Sequence, residues 1–285
     1  MCGLDAKKIA QAEALLEQAK SAEEDVDEYA KAGMYYKAAT AYRLAKNPDE
    51  SKDCFLKAIE CYENNKSWFH AAKSYEQIIL LAKESDRLSE IEEYANRACN
   101  LYQQHGSREA AAAAMDKAAK MTQSQYPELA LGFYKRALAV VLIGDSTHQA
   151  AEFASKVSRI LVKLKKYEEA SKALKKEISL NLQTKSYAQV GRLVVALVLV
   201  LLAQDDPVDA KKSFKKWGNR CDPQEVETLE TLLQALDDED AELAAKMLAS
   251  PFITHMDLEY ALLAKNLPLP KGIIFKKKYE QDEEN

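Results

Sequence analysis

A fixed interval between helical segments constrains this chain more than any other feature in it. Ala130, Ala150, Ala170 and Val190 stand 20 residues apart. An apolar side chain follows each by four residues (Tyr134, Ala154, Leu174, Val194), and Pro127, Thr147, Tyr167 or Tyr187 precedes each by three. The same ruler finds Ala210 with Pro207 and Phe214 downstream. Upstream it finds Ala111 with Met115, Ile91 with Leu88 and Ala95, Ala71 with Trp68 and Tyr75, and Ser51 with Pro48 and Phe55. The register slips by one residue, between Ala111 and Ala130. A helix plus a turn, repeated at this interval, cannot bury its apolar stripe alone, so neighbours must stack into a continuous core.

The pattern predicts helices at 4–20, 24–45, 49–64, 67–84, 87–104, 107–122, 127–144, 147–164, 167–184, 187–204 and 207–218. Connections of two to four residues force successive helices antiparallel and adjacent. Alanine at the repeat anchor lets helix axes approach to about 8–10 Å, and a Tyr, Phe, Met or Leu one turn later fills the groove beside it. After Trp217-Gly218 the ruler fails. Further helices are expected at 223–236, 241–249 and 255–265, with Ser250-Pro251-Phe252 breaking the chain between the last two. The expected fold is all-α, a right-handed superhelical tetratricopeptide-like solenoid of about 14 antiparallel helices with a C-terminal helical cap. Two helices take about 40 residues here, against 34 in ordinary tetratricopeptide arrays. The expected division is a helical-hairpin sheet over 1–218, a C-terminal helical bundle over 219–267 and a charged tail over 268–285.

Composition narrows the function. Only 8 Gly and 7 Pro in 285 residues argue against a turn-rich β protein. A net charge of -5 argues against a general nucleic-acid binder, whose affinity rests on excess Lys and Arg facing phosphates. The five cysteines (Cys2, Cys54, Cys61, Cys99, Cys221) form no C-x-x-C pair, which points to reduced thiols, with Cys54 and Cys61 in the core. The N-terminus is charged from Asp5 onward, unlike a signal peptide. The longest apolar run, Leu193–Ala203, has 11 residues against the roughly 20 that span a bilayer, and is expected to be the most buried helix. No phosphate-cradling Gly-rich loop, H-E-x-x-H pair or G-x-S-x-G elbow occurs, and His70, His105, His148 and His255 fall in separate repeats. No catalytic, cofactor or metal site is expected, so function must come from the surface.

The string Glu28-Tyr29-x-Lys31-Ala32-x3-Tyr36-Lys37-Ala38-Ala39-x-Ala41-Tyr42-x2-Ala45-Lys46, continuing through Tyr62-Glu63-Asn64-Asn65 to Phe69-His70-Ala71-Ala72-Lys73-x-Tyr75-Glu76-Gln77, resembles the soluble NSF attachment proteins, in particular their gamma branch. Ser250-Pro251-Phe252, His255-Met256-Asp257, Tyr260-Ala261 and the basic-then-acidic tail extend the resemblance across nearly the whole chain. The resemblance implies a cytoplasmic adaptor, peripheral on membranes. It would sheathe the four-helix SNARE complex and recruit the hexameric ATPase NSF, which disassembles that complex in vesicular traffic such as that between ER and Golgi. It also implies SNARE contact at Lys156 and Arg159, and NSF contact at the tail acids Glu280, Asp282, Glu283 and Glu284. The other reading is a scaffold that holds peptide tails or a vesicle-tethering partner without engaging NSF. The chain departs from the family pattern in three places. Ser21–Asp27 is short and acidic where relatives carry exposed aromatics, Ala112 and Ala113 stand where basic residues are usual, and the tail ends in Asn285 without a near-terminal leucine.

Overall fold

A computed structural model describes residues 3–22, 27–144 and 146–270. Among them there is no strand, and the helices follow in order: α1 (Gly3–Lys20), α2 (Glu28–Leu44), α3 (Pro48–Asn64), α4 (Trp68–Glu84), α5 (Leu88–Gln104), α6 (Arg108–Thr122), α7 (Pro127–Leu142), α8 (Thr147–Lys163), α9 (Tyr167–Gln183), α10 (Tyr187–Ala203), α11 (Pro207–Trp217), a 3-10 turn (Gly218–Arg220), α12 (Pro223–Asp237), α13 (Ala241–Leu248), α14 (Pro251–Thr254) and α15 (Leu258–Lys265). The all-α expectation holds, and the repeat anchors from Ser51 to Ala210 are all at most 2 % exposed. Seven of the nine are alanine or serine, small enough to let neighbouring helices approach closely, and Ile91 and Val190 are the exceptions.

The turns explain the 20-residue interval. Lys46, Lys66, Asp86, Gly106, Lys165, Lys185 and Asp205 all have positive φ, between 54° and 84°. Each sits just past a helix C-terminus. At the end of α2 the Lys46 amide donates to the Arg43 carbonyl and the Asn47 amide to the Tyr42 carbonyl, both at 3.0 Å. That pair of reversed bonds satisfies carbonyls the helix leaves unused, and one left-handed residue is enough to turn the chain. Six of the seven positions carry Lys or Asp rather than glycine, so no glycine periodicity announces them. The one-residue slip lies at the end of α6, which has 15 residues where its neighbours α3, α4 and α5 have 17. There the chain turns without a left-handed residue, the Tyr126 amide donating to the Thr122 carbonyl at 2.7 Å.

The chain divides into two compact units, Met1–Phe153 and Ala154–Asn285, with the boundary inside α8. In the first unit each of α1 to α6 packs on its successor. Ion pairs then join alternate helices on the surface: Arg43 to Glu84 (2.9 Å), Lys52 to Glu90 (2.9 Å), Arg87 to Asp49 (2.8 Å) and Lys117 to Glu76 (3.3 Å). Partners 38 to 41 residues apart meet because every second helix lies in the same layer.

In the second unit α10 is the centre, touching α9, α11, α12, α15 and the 3-10 turn. Leu193 to Leu202 are all buried, as the apolar run predicts. Gly191 is required here, because a Cβ at that position would lie 2.7 Å from the Arg220 carbonyl oxygen and 3.1 Å from Cys221 Cα. Two sequence expectations near the C-terminus change. Pro251 does not simply break the chain but starts the short α14, since its fixed φ suits a first helical turn. The last helix begins at Leu258 rather than His255, behind Asp257 as its N-cap residue.

Candidate partner-binding surfaces

Charge in the second unit is sorted along the chain. Residues 154–220 hold fifteen Lys and Arg against six Asp and Glu, whereas residues 221–270 hold two against eleven. The overall charge of -5 conceals this, and counting by segment would have revealed it from the sequence. Most of the basic set is exposed: Lys165, Lys166, Lys176, Lys185, Lys212 and Lys215 all stand in solvent. So do the acids of the α12–α13 corner, Asp237, Asp238, Glu239 and Asp240. Lys175 pairs with Asp209 at 2.6 Å, tying α9 to α11, and Lys211 pairs with Asp237. Such sorted fields steer charged partners more than they stabilise the fold.

Arg159 and Lys156 lie three residues apart on α8, both half-buried. Arg159 reaches Asp257, with Nη1 3.6 Å from Oδ1. Beneath that pair sits Glu177 of α9, 1 % exposed. Burial pushes its carboxyl up to about 7, against the hydroxyls of Ser158 and Ser155 and the Arg159 guanidinium, which favour the ionised form, while Asp257 opposes them. Ser158 has one hydroxyl proton and two claimants, this carboxyl and the Ala154 carbonyl at 3.0 Å. Tyr260 of α15 faces the same cluster, and burial raises its phenol well above the ordinary value, with Glu177 adding to the shift. Neither Glu177 Oε2 nor the Tyr260 hydroxyl has a hydrogen-bond partner among the described residues. Arg159 is thus half turned inward, joining α8 to the C-terminal helices. The sequence offers no hint of this, since Glu177 occupies one position among the alternating charges of α9.

The candidate tail acids Glu280, Asp282, Glu283 and Glu284 lie outside the described residues, as does most of the acidic Ser21–Asp27 connection. Ala112 is buried at 3 % and Ala113 exposed, so only the second could present a charged side chain without disturbing the core. His70 and His105 do not remain apart as their separate repeats suggest, because their rings flank Phe69 at 6.0 and 5.3 Å. Tyr29 stands 3.1 Å from His70 Nε2 through its hydroxyl. Among the described residues no group of three or more His, Cys, Asp or Glu could hold a metal, and no helix is long and apolar enough to cross a membrane.

Stacked helical hairpins carrying sorted surface charge define a protein that works by being held against others. The family model for soluble NSF attachment proteins matches residues 5–250, and the chain belongs to that family. It is 29 % identical over 243 residues to the gamma-soluble NSF attachment protein of Dictyostelium discoideum, covering 83 % of this chain and 74 % of that one. It is 24 % identical over 249 residues to the gamma-soluble NSF attachment protein of Arabidopsis thaliana, covering 82 % of each. Among solved structures it is similar to the apo form of RapI (TM-score 0.41, 10 % identical, 90 % of both chains). It is also similar to BtubC from P. vanneervenii (TM-score 0.39, 13 % identical, 81 % of this chain and 92 % of that one). The family is one of non-enzymatic attachment proteins, and a general role in NSF attachment follows from membership.

Proposed function

We propose that this chain is an adaptor that binds SNARE four-helix complexes and recruits the NSF hexamer for their disassembly in vesicular traffic, acting in the cytoplasm and peripherally on membranes. The observation that carries the reading is the sorting of charge in the second unit, basic over 154–220 and acidic over 221–270. An excess of lysines suits an acidic helical rod, and Lys156 and Arg159 belong to that excess. An acidic terminus suits a basic ATPase surface, with Glu280, Asp282, Glu283 and Glu284 extending it. Both contacts would be salt-sensitive, because exposed charges are screened beyond about 8 Å at physiological ionic strength.

The test is a pull-down of purified NSF on a preassembled SNARE complex, with and without this chain, at low and high salt. Retention of NSF only when the chain is present, lost on cutting the chain after Pro270 while SNARE binding stays, supports the reading. Binding to the SNARE complex with no NSF retained under any condition refutes it, and leaves a scaffold that engages a tethering partner or a peptide tail.

A further inference from the structure

Of the nine large apolar side chains exposed among the described residues, three fall close together at the C-terminal end: Leu258 (68 % exposed), Leu262 (48 %) and Leu269 (38 %). A groove of about 460 Å3 runs between α13 and α15, lined by Leu248, Leu262, Leu267 and Leu269 with alanines between them. Leu267 and Leu269 each precede a proline, which holds their backbone extended. The described chain therefore leaves along the wall of this groove and continues at Lys271. Four residues beyond Leu269 comes Ile273-Ile274-Phe275, an apolar cluster in an otherwise charged tail. At about 3.3 Å per residue when fully extended, four residues span at most about 13 Å, so the tether is short enough for Ile273 to reach a groove that Leu269 itself lines.

We propose that Ile273, Ile274 and Phe275 seat in the α13–α15 groove, so that the tail is docked on its own chain. Charge favours this occupant. Lys276-Lys277-Lys278 follows the apolar cluster directly, and α13 is entered through Asp237-Asp238-Glu239-Asp240 and carries Glu242 in its first turn. An external apolar segment would have to compete with one held at high effective concentration by a tether of a few residues. The acids beyond Tyr279 then start from a fixed point. This inference concerns the chain alone and holds whichever partner the tail meets.

The test uses a fluorescent peptide of residues 270–281 and two chains, the full chain and one ending at Pro270. The peptide should bind the shortened chain saturably and the full chain hardly at all, because there the groove is filled in cis. A peptide with Ile273→Asp and Phe275→Asp should lose about tenfold or more in affinity, the least expected from withdrawing two apolar side chains. Leu262→Glu in the shortened chain should weaken binding likewise. No saturable binding, or equal binding to both chains, overturns the proposal. Should the shortened chain fail to fold, hydrogen exchange on the full chain decides. Ile273→Asp with Phe275→Asp should speed amide exchange in α13 and α15 and leave α2 to α7 unchanged, and unaltered exchange in α13 and α15 overturns the proposal. Self-association that Leu262→Glu abolishes and the tail substitutions leave intact would assign the groove to a second copy, also overturning it.

Discussion

Glu177 makes the second unit lose stability as pH rises from about 4.5 to neutrality, and replacing it with glutamine should abolish that loss. The ordinary glutamate value is 4.5, and burial in the α8–α9–α15 cluster lifts this carboxyl to about 7. Below 4.5 the group is protonated in folded and unfolded chains alike and contributes nothing. Between 4.5 and 7 the unfolded chain has lost its proton while the folded chain keeps it, so stability falls with rising pH. Above 7 both are ionised and the full cost is present. A shift of about 2.5 units at 1.36 kcal/mol each gives about 3 kcal/mol. Glu177→Gln keeps the shape, leaves the Ser155 and Ser158 hydroxyls an acceptor, and offers an amide donor to the unpartnered Tyr260 oxygen. The assay is urea unfolding at pH 5, 6, 7 and 8, followed by Trp217, the tryptophan of the second unit, in a Trp68→Phe background. The variant should exceed its parent by about 1 kcal/mol at pH 5 and by about 3 kcal/mol at pH 8, other titrations cancelling in the difference. A difference that is flat across this range would refute the reasoning.

Gly191→Ala should destabilise by about 1–3 kcal/mol through overpacking, since the new methyl meets backbone of the 3-10 turn and of Cys221 rather than a side chain that can swing away. Thermal unfolding would show it, and a neutral result would mean that the 3-10 turn is free to shift. Lys185→Gly, at a φ of 58°, should stabilise by up to about 1 kcal/mol in urea titration, because a left-handed residue without Cβ carries no steric cost. A loss of stability there would show that the lysine side chain does more than occupy a turn. Leu174→Ala, fully buried on α9, should cost about 2–5 kcal/mol from lost transfer energy and the cavity left behind, measured the same way.

Much of the fold could be read from residue spacing. Anchors 20 residues apart, small at one position and bulky a turn later, are needed wherever equal helices stack, so the positions of Ala71, Ala130 and Ala170 are enough to announce their burial. Helix boundaries came within a few residues for the same reason. The left-handed turns give no such signal because Lys46, Lys66 and Lys185 take a conformation that sequence patterns assign to glycine, held there by the two reversed hydrogen bonds. The surface is a mixed case. The sorting of charge around residue 220 is present in the sequence and emerges only when the two segments are counted apart.

By itself, then, the sequence determined the repeating helices, their antiparallel stacking and the sign of charge along the C-terminal half, because each depends on residues within about two turns of helix or on simple sums. Only the tertiary structure decided that Arg159 turns toward Asp257, that Glu177 and Tyr260 share one buried cluster, and that an apolar groove opens beside the exit of the tail. Those contacts join residues 18 to 98 positions apart on separate helices. Local pattern specifies which face of a helix is apolar, but not which distant side chain will complete it.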